Sequence, residues 1–166
     1  DVNHSFNFLE VAKSTLADRI EIRNSRFRNI TGAVLELNKE TDDLGLYNAE
    51  YVTIEGSEFE DIGEALAVLY RGGTDESTFG PHFDLRQSKL KNVGKSKRNK
   101  SGASVSLLGV QLADIHDVEF IESAPLRVTL TVGGPITRIS NNTFKATPAP
   151  EIRNGEAELS NNTVSP

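Results

Sequence analysis

The sequence contains no cysteine, no methionine and no tryptophan. Without cysteine the protein has no disulfide bonds, and both thiol chemistry and cysteine metal ligands are excluded. No apolar run approaches the roughly 20 residues of a membrane-spanning helix, so we expect no membrane partner. The net charge of −6 also argues against non-specific binding to nucleic acid, because the molecule as a whole repels a polyanion. No P-loop, dinucleotide fingerprint or nucleophile elbow occurs.

One short pattern is present in six copies. An apolar residue, a polar residue and an Ile or Leu (Ala and Thr open three of the copies) are followed by polar turn residues, and an apolar anchor lies five positions after the Ile or Leu. The copies span residues 20–27, 52–59, 83–90, 113–120, 137–144 and 157–164. The anchors, which are 32, 31, 30, 24 and 20 residues apart, are Phe27, Phe59, Leu90, Phe120, Phe144 and Val164. Intervals of this size are typical of one coil of a solenoid.

The alternation before each turn has a period of two, which indicates strands with one buried face. Second strands are predicted at 33–37, 65–70, 103–107 and 126–130, and a similar strand at 6–11. The sequence therefore predicts an all-β fold, a right-handed parallel β-helix of about six coils, with residues 1–166 forming a single domain. A leucine-rich repeat would need helical stretches between the strands, and a β-sandwich would not explain six copies of one spacing. Because the pattern starts and stops within a coil, we expect part of a longer two-domain protein, or an end that pairs with another subunit.

Polar residues are expected to form a column of bends along the stack. Asn or Asp favours left-handed backbone and bonds its own neighbours, which suits a turn between two strands. The residues predicted at this register are Asn24, Gln87, Asp117, Asn141 and Asn161. We interpret them as structural turn residues rather than metal ligands.

Two irregular segments interrupt the repeat and are the candidate functional sites. The first, residues 70–82, turns on two glycines and offers Arg71 and His82; the alternative is a structural connection in which acidic neighbours pair with Arg71. The second is strongly basic, and a basic cleft suits uronic-acid polysaccharides, whose carboxylates Arg can hold in bidentate fashion. Its candidate substrate-binding residues are Lys95, Lys97, Arg98 and Lys100. A solvated, mobile loop is the alternative for this segment. The acidic stretch 38–43 could bind a hard cation but has no defined ligand spacing.

The repeats, the segment from Tyr70 to His82 and the segment from Arg98 to Ser104 resemble polysaccharide lyase family 6, which includes alginate lyases and chondroitinase B. The resemblance is to the C-terminal β-helix domain of the two-domain alginate lyases. It implies a secreted or periplasmic bacterial enzyme that cuts uronate polysaccharides by β-elimination. The family uses a Lys base and an Arg acid in its N-terminal domain, often with calcium on the substrate carboxylate. The segment Asn99-Lys100-Ser101 is similar to the family's base motif, but no Arg-His-Gly follows it and no acidic calcium ligands precede it. Lys100 is therefore not assigned as catalytic, and the catalytic residues stay unknown.

These observations lead to one preferred hypothesis and two alternatives. The preferred hypothesis is a non-catalytic part of an alginate-lyase-like enzyme that serves as support, dimerisation or polysaccharide-binding domain. Its expected partners are an acidic polysaccharide such as alginate and either an N-terminal catalytic β-helix domain or a second subunit. No cofactor is expected in this segment, and calcium is an expectation for the parent enzyme. The alternatives are a self-sufficient lyase with a basic groove and a structural or adhesive β-helix.

Overall fold

The computed structural model describes residues 5–12, 15, 17–40, 49–71, 81–131 and 134–166, with the backbone alone at 38–40 and 71. The described residues form three parallel sheets of six strands, to each of which every coil contributes one strand. The first sheet contains β1 (Leu9–Val11), β4 (Leu35–Glu40), β7 (Ala67–Arg71), β10 (Val105–Leu108), β13 (Leu126–Thr129) and β16 (Glu151–Arg153). The second contains β2 (Ala17–Arg23), β5 (Ala49–Glu55), β8 (His82–Arg86), β11 (Leu112–His116), β14 (Ile136–Ser140) and β17 (Glu158–Ser160). The third contains β3 (Arg26–Ile30), β6 (Glu58–Ile62), β9 (Lys89–Val93), β12 (Glu119–Ile121), β15 (Thr143–Lys145) and β18 (Thr163–Ser165).

The predicted parallel β-helix is confirmed, and its anchors stack in register. Phe27 pairs with Phe59, Phe59 with Leu90, Leu90 with Phe120, Phe120 with Phe144, and Phe144 with Val164. The rings of Phe120 and Phe144 stack with centroids 4.7 Å apart, and those of Phe27 and Phe59 with centroids 5.3 Å apart. Such columns arise because the inward residues of one coil are covered only when the next coil lies over them, about 4.8 Å away.

The structure corrects the predicted strands in three respects. Each anchor belongs to a strand of its own in the third sheet, since a bend separates it from the preceding alternation. The second strands β4, β7 and β10 begin two residues later than predicted, because the preceding pairs, such as Ala33 and Val34, are fully buried in the bend before the strand. Strand β16 was not predicted, since its three residues are too few to show an alternation.

Two columns of left-handed residues mark the bends. The predicted column has φ angles of 48 to 56° at Asn24, Gln87, Asp117, Asn141 and Asn161, and its function as a turn is confirmed. A second column, which the sequence analysis missed, lies near the ends of the third-sheet strands β3, β6 and β9 and directly after β12 and β15, with φ angles of 46 to 57°. Its members are Asn29, Asp61, Asn92, Glu122 and Ala146.

Buried polar side chains connect neighbouring coils. The hydroxyl of Ser88 accepts a hydrogen bond from the backbone N–H of Ser57 at 3.1 Å, and Ser57 does the same for Ser25. Further along the stack asparagine replaces serine: the side-chain oxygen of Asn142 accepts from the N–H of Val118 at 2.9 Å, and its amide donates to the carbonyl of Ile115 at 2.9 Å. These bonds satisfy backbone groups at the bends, which lie outside the sheets. No helix long and apolar enough to span a membrane occurs in the described part of the chain.

Candidate functional site

Most basic side chains on the outer faces of the sheets are paired with carboxylates, commonly on an adjacent coil. On the third sheet Arg26 lies 2.7 Å from Glu58, and Lys91 lies 2.8 Å from Glu60. The hydrogen bond from Lys91 lowers the pKa of Glu60, and that from Arg127 lowers the pKa of Glu151. Residues one coil apart are direct neighbours in a parallel sheet, so opposite charges at one register form such pairs.

The segment between β9 and β10 differs from these faces. We call residues 94–102 the basic loop. Its lysines, Lys95, Lys97 and Lys100, are exposed and form no ion pair with any described residue. Among the described residues Lys145 is the other lysine without such a pair, and it lies apart from the loop in β15. The basic loop therefore concentrates uncompensated positive charge on a molecule whose net charge is negative.

Hydrogen bonds within the basic loop fix its conformation. The side-chain amide of Asn99 donates to the carbonyls of Gly94 and Ala103, both at 2.8 Å, and so joins the two ends of the loop. The hydroxyl of Ser101 donates to the side-chain oxygen of Asn99 at 2.6 Å, and the N–H of Ser96 donates to the carbonyl of Gly63 on the preceding coil at 2.9 Å. Gly94 has a φ of 84°, and an added Cβ would lie 2.7 Å from the Ala103 carbonyl oxygen, so the loop needs glycine here.

Two surface grooves flank the basic loop. The first, of about 550 Å³, runs across three coils beside the second left-handed column, and we call it the ladder groove. Its polar lining comprises Asn29, Thr31, Asp61, Asn92, Lys95, Ser96 and Arg98. The second, of about 510 Å³, lies on the side of the first sheet and contains Lys97 and Lys100 beside the carboxylates Glu36 and Glu64. Arg98 lines both grooves.

The other sequence-predicted site residues lie elsewhere. His82 opens β8 on the second sheet, where its ring meets Tyr51 edge-on at a centroid distance of 5.2 Å, and it lines neither groove. Arg71 ends β7, and its backbone pairs with Glu40; its side chain lies outside the described residues, as do residues 72–80. The structure thus brings together Lys95, Lys97, Arg98 and Lys100, and it places His82 on a different sheet.

The second sheet carries a charged cluster that the sequence analysis did not single out. Arg86 of β8 bonds to Asp84 on its own strand and lies 3.2 Å from Glu55 on the preceding coil. The hydrogen bond from Arg86 lowers the pKa of Glu55, whereas burial raises the pKa of Asp84. One oxygen of Asp84 is buried and has no hydrogen-bond partner among the described residues.

The described residues contain no group of three or more His, Asp or Glu side chains arranged to hold a metal ion. The acidic stretch 38–43, named above as a cation-binding candidate, has no described side chains. The calcium that the family resemblance implies therefore has no fitting ligand set among the described side chains.

The sequence analysis also missed the left-handed residues of the ladder groove. Asn29, Asp61 and Asn92 each lie two positions after an anchor. A comparison of the repeats at that position would have found a polar column of Asn, Asp and Asn before the change to Glu and Ala.

Two solved structures match the chain over almost its whole length. The alginate lyase AlyGC, described as a PL6 family enzyme, is 48% identical over 99% of this chain, with a TM-score of 0.91. A mutant of that lyase is 47% identical over 97% of the chain, also with a TM-score of 0.91. The chain spans 23% of the length of each of these structures. No protein-family model and no curated protein matches it. The predicted resemblance to polysaccharide lyase family 6 is confirmed, because the chain is a parallel β-helix that is similar over almost its whole length to part of a PL6 family alginate lyase.

Proposed function

We propose that this chain is the C-terminal β-helix domain of an alginate-lyase-like enzyme, and that it binds acidic polysaccharide through the basic loop without cleaving it. The observation that carries the proposal is the set of unpaired lysines, Lys95, Lys97 and Lys100, on a loop whose shape Asn99 fixes. Cations held in a fixed place, without a carboxylate of their own, are available to the carboxylates of a polymer. The solved relative's description as an alginate lyase supports a uronate polymer as the ligand.

The composition of the loop supports the proposal of a non-catalytic role. The sequence lacks the Arg-His-Gly motif that the family resemblance associates with the acid, and the groups beside Lys100 have structural tasks. Asn99 joins the ends of the loop, and the carbonyl of Ser101 accepts a hydrogen bond from Arg127 of the next coil. In this proposal the catalytic base and acid, and any calcium on the substrate carboxylate, belong to another part of a secreted or periplasmic parent enzyme.

Binding of alginate oligomers to the isolated chain, measured by titration calorimetry, tests the proposal. A variant with Lys95, Lys97, Arg98 and Lys100 all changed to Ala should lose at least about tenfold in affinity, since four charges near a polyanion act together. The matched control is Lys145→Ala, which removes an exposed, unpaired lysine from another coil and should leave the affinity nearly unchanged. Equal affinities for the wild type and the fourfold variant would refute the proposal.

A second function, cleavage by this chain alone, is favoured by the groove on the side of the first sheet. There Lys97 and Lys100 lie beside Glu36 and Glu64, so a cation that could neutralise a uronate carboxylate and a carboxylate that could accept a proton share one groove. Formation of unsaturated uronate ends on incubation with alginate, abolished by Lys100→Ala, would establish this function. The preferred proposal expects no turnover.

A further inference from the structure

The two grooves beside the basic loop have similar charge but differ in their free hydrogen-bonding groups. In the groove of the first sheet most neutral polar groups are already used, although the hydroxyl of Ser5 and the second amide hydrogen of Asn7 have no partner among the described residues. Asn7 donates to Glu36 and accepts from the N–H of Ala33, and both amide hydrogens of Asn99 are taken by carbonyls. A sugar in that groove would find charges but few unoccupied neutral donors or acceptors.

The ladder groove has free hydrogen-bonding groups on three neighbouring coils. The side chain of Asn29 is exposed and forms no hydrogen bond with any described residue. Asp61 accepts one hydrogen bond, from the amide of Asn92 at 2.7 Å, and this bond uses one of its two oxygens. The second amide hydrogen of Asn92 has no acceptor among the described residues. These three side chains repeat at the spacing of the coils, about 4.8 Å. Lys95 and Arg98 line the same groove.

This arrangement suits a uronate residue better than a bare anion. A uronate carries a carboxylate, for which Lys95 and Arg98 provide charged donors, and hydroxyl groups, each of which donates and accepts hydrogen bonds. Asp61 can accept from a hydroxyl, while Asn29 can both donate and accept. The partly exposed side chain of Ile30 adds an apolar patch against which the carbon face of a sugar ring can pack.

We propose that the ladder groove is a uronate subsite in which Lys95 and Arg98 hold the carboxylate while Asn29 and Asp61 bind the sugar hydroxyls. The segment therefore distinguishes uronate polysaccharides from polyanions without hydroxyls. Asp61 also works against indiscriminate binding, because its negative charge repels any anion that cannot donate a hydrogen bond to it. This inference rests on the proposed function and specifies which groove of the basic loop the polymer occupies.

The test compares two probes, alginate oligomers and inorganic polyphosphate of similar charge, on the same chain. The variants are Asn29→Gly and Asp61→Asn. Both substitutions suit the left-handed backbone at these positions, where φ is 57° and 56°, and Asn at position 61 retains an acceptor for Asn92. Thermal unfolding of each variant should match that of the wild type, which confirms that a change in affinity is not a loss of fold.

The wild type should prefer alginate to polyphosphate, and each variant should lower the ratio of the two affinities by roughly fivefold, the effect of losing about one hydrogen bond. Asp61→Asn should also strengthen polyphosphate binding, since a negative charge is removed. Unchanged ratios, in a chain that binds alginate through the basic loop, overturn the subsite and leave the proposed function intact. A wild-type chain that binds neither probe overturns both. Chemically O-acetylated alginate gives an independent readout, because it keeps the carboxylates but lacks hydroxyl donors. It should bind the wild type more weakly than unmodified alginate does, and this difference should be smaller for Asp61→Asn, which retains only Asn29 for the hydroxyls.

Discussion

The outer faces of the coils and the basic loop both carry basic side chains, but these side chains have different roles in the two regions. On the faces, Arg26, Lys91 and Arg127 each meet a carboxylate within 2.8 Å, and the pairs follow the register of the stack. In the basic loop, Lys95, Lys97 and Lys100 have no such partner among the described residues. The loop is held instead by neutral hydrogen bonds, which leave its charges available. Under the proposed function, stability and binding therefore belong to different parts of the chain, and substitutions should separate them.

The largest loss of stability should come from a substitution in the column of stacked anchors in the core. Phe120 is fully buried and stacks on Phe144, so Phe120→Ala should lower the free energy of unfolding by about 3–5 kcal/mol. Urea denaturation measures this loss. The same change at Phe8, a residue that is 62% exposed, is the matched control and should cost far less. Similar losses for the two variants would contradict the account of the core.

The next largest loss of stability should come from the buried polar side chains that connect neighbouring coils. Asn142→Ala removes the acceptor for the N–H of Val118 and the donor for the carbonyl of Ile115 in a buried bend. Leaving such groups unsatisfied should cost about 1–3 kcal/mol. Asn141→Gly changes the neighbouring exposed residue at a left-handed position, where glycine is accepted, and should change the urea midpoint little. A larger loss for Asn141→Gly than for Asn142→Ala would show that the buried amide is not what connects these coils.

A substitution in the basic loop should lower the affinity for alginate and leave stability nearly unchanged. Asn99→Ala removes the side-chain amide whose hydrogen bonds to two carbonyls join the ends of the loop. The loop should therefore lose its fixed shape while the coils keep their core. We expect alginate affinity to fall by roughly fivefold, equivalent to about 1 kcal/mol. Calorimetry measures the affinity, and thermal unfolding provides the control for the coils. A large fall in the unfolding temperature with unchanged affinity would reverse the division of tasks.

The smallest expected effects concern the pH dependence of stability, to which the carboxyl groups of Glu60 and Asp84 should contribute with opposite signs. The pKa of Glu60 lies below its ordinary 4.5 because Lys91 bonds to it, so its stabilising effect is present above that pH and is lost as pH falls through the folded value. Burial raises the pKa of Asp84 above 3.8, so its contribution is present below that pH and is lost as pH rises through the folded value. Relative to wild type, Glu60→Gln should therefore lose stability as pH rises, and Asp84→Asn should gain it. Unfolding temperatures between pH 3 and pH 7 measure both, and equal slopes for the two variants would contradict the opposite shifts.

Much of the fold follows from the sequence because the coils repeat one local pattern. The anchors from Phe27 to Val164 occupy one register, and the turn residues from Asn24 to Asn161 are left-handed as predicted. The third sheet was missed because each of its strands shows only one or two inward residues, too few for a visible alternation. Strand β16 was also missed because of its length, since it has only three residues.

The site could be predicted only in part. The cluster of Lys95, Lys97, Arg98 and Lys100 is visible as a run of charge, but whether its charges are paired depends on residues one coil away. His82 was grouped with these cations because of its place in an irregular segment, and the structure puts it on the second sheet beside Tyr51. The ladder groove arises from positions about 30 residues apart, such as Asn29 and Asp61, which only the stacking of coils brings together.

The most direct test of the central claim compares two exposed lysines that differ in whether they are paired. Lys91 is paired with Glu60 on the outer face of the third sheet, and Lys95, four residues later, is unpaired in the basic loop. Titration of alginate oligomers against Lys95→Ala and Lys91→Ala should show a clear loss of affinity for the first and a much smaller one for the second. Equal losses would mean that alginate responds only to overall charge, and an effect of Lys91→Ala alone would place binding on the coil face instead of the basic loop.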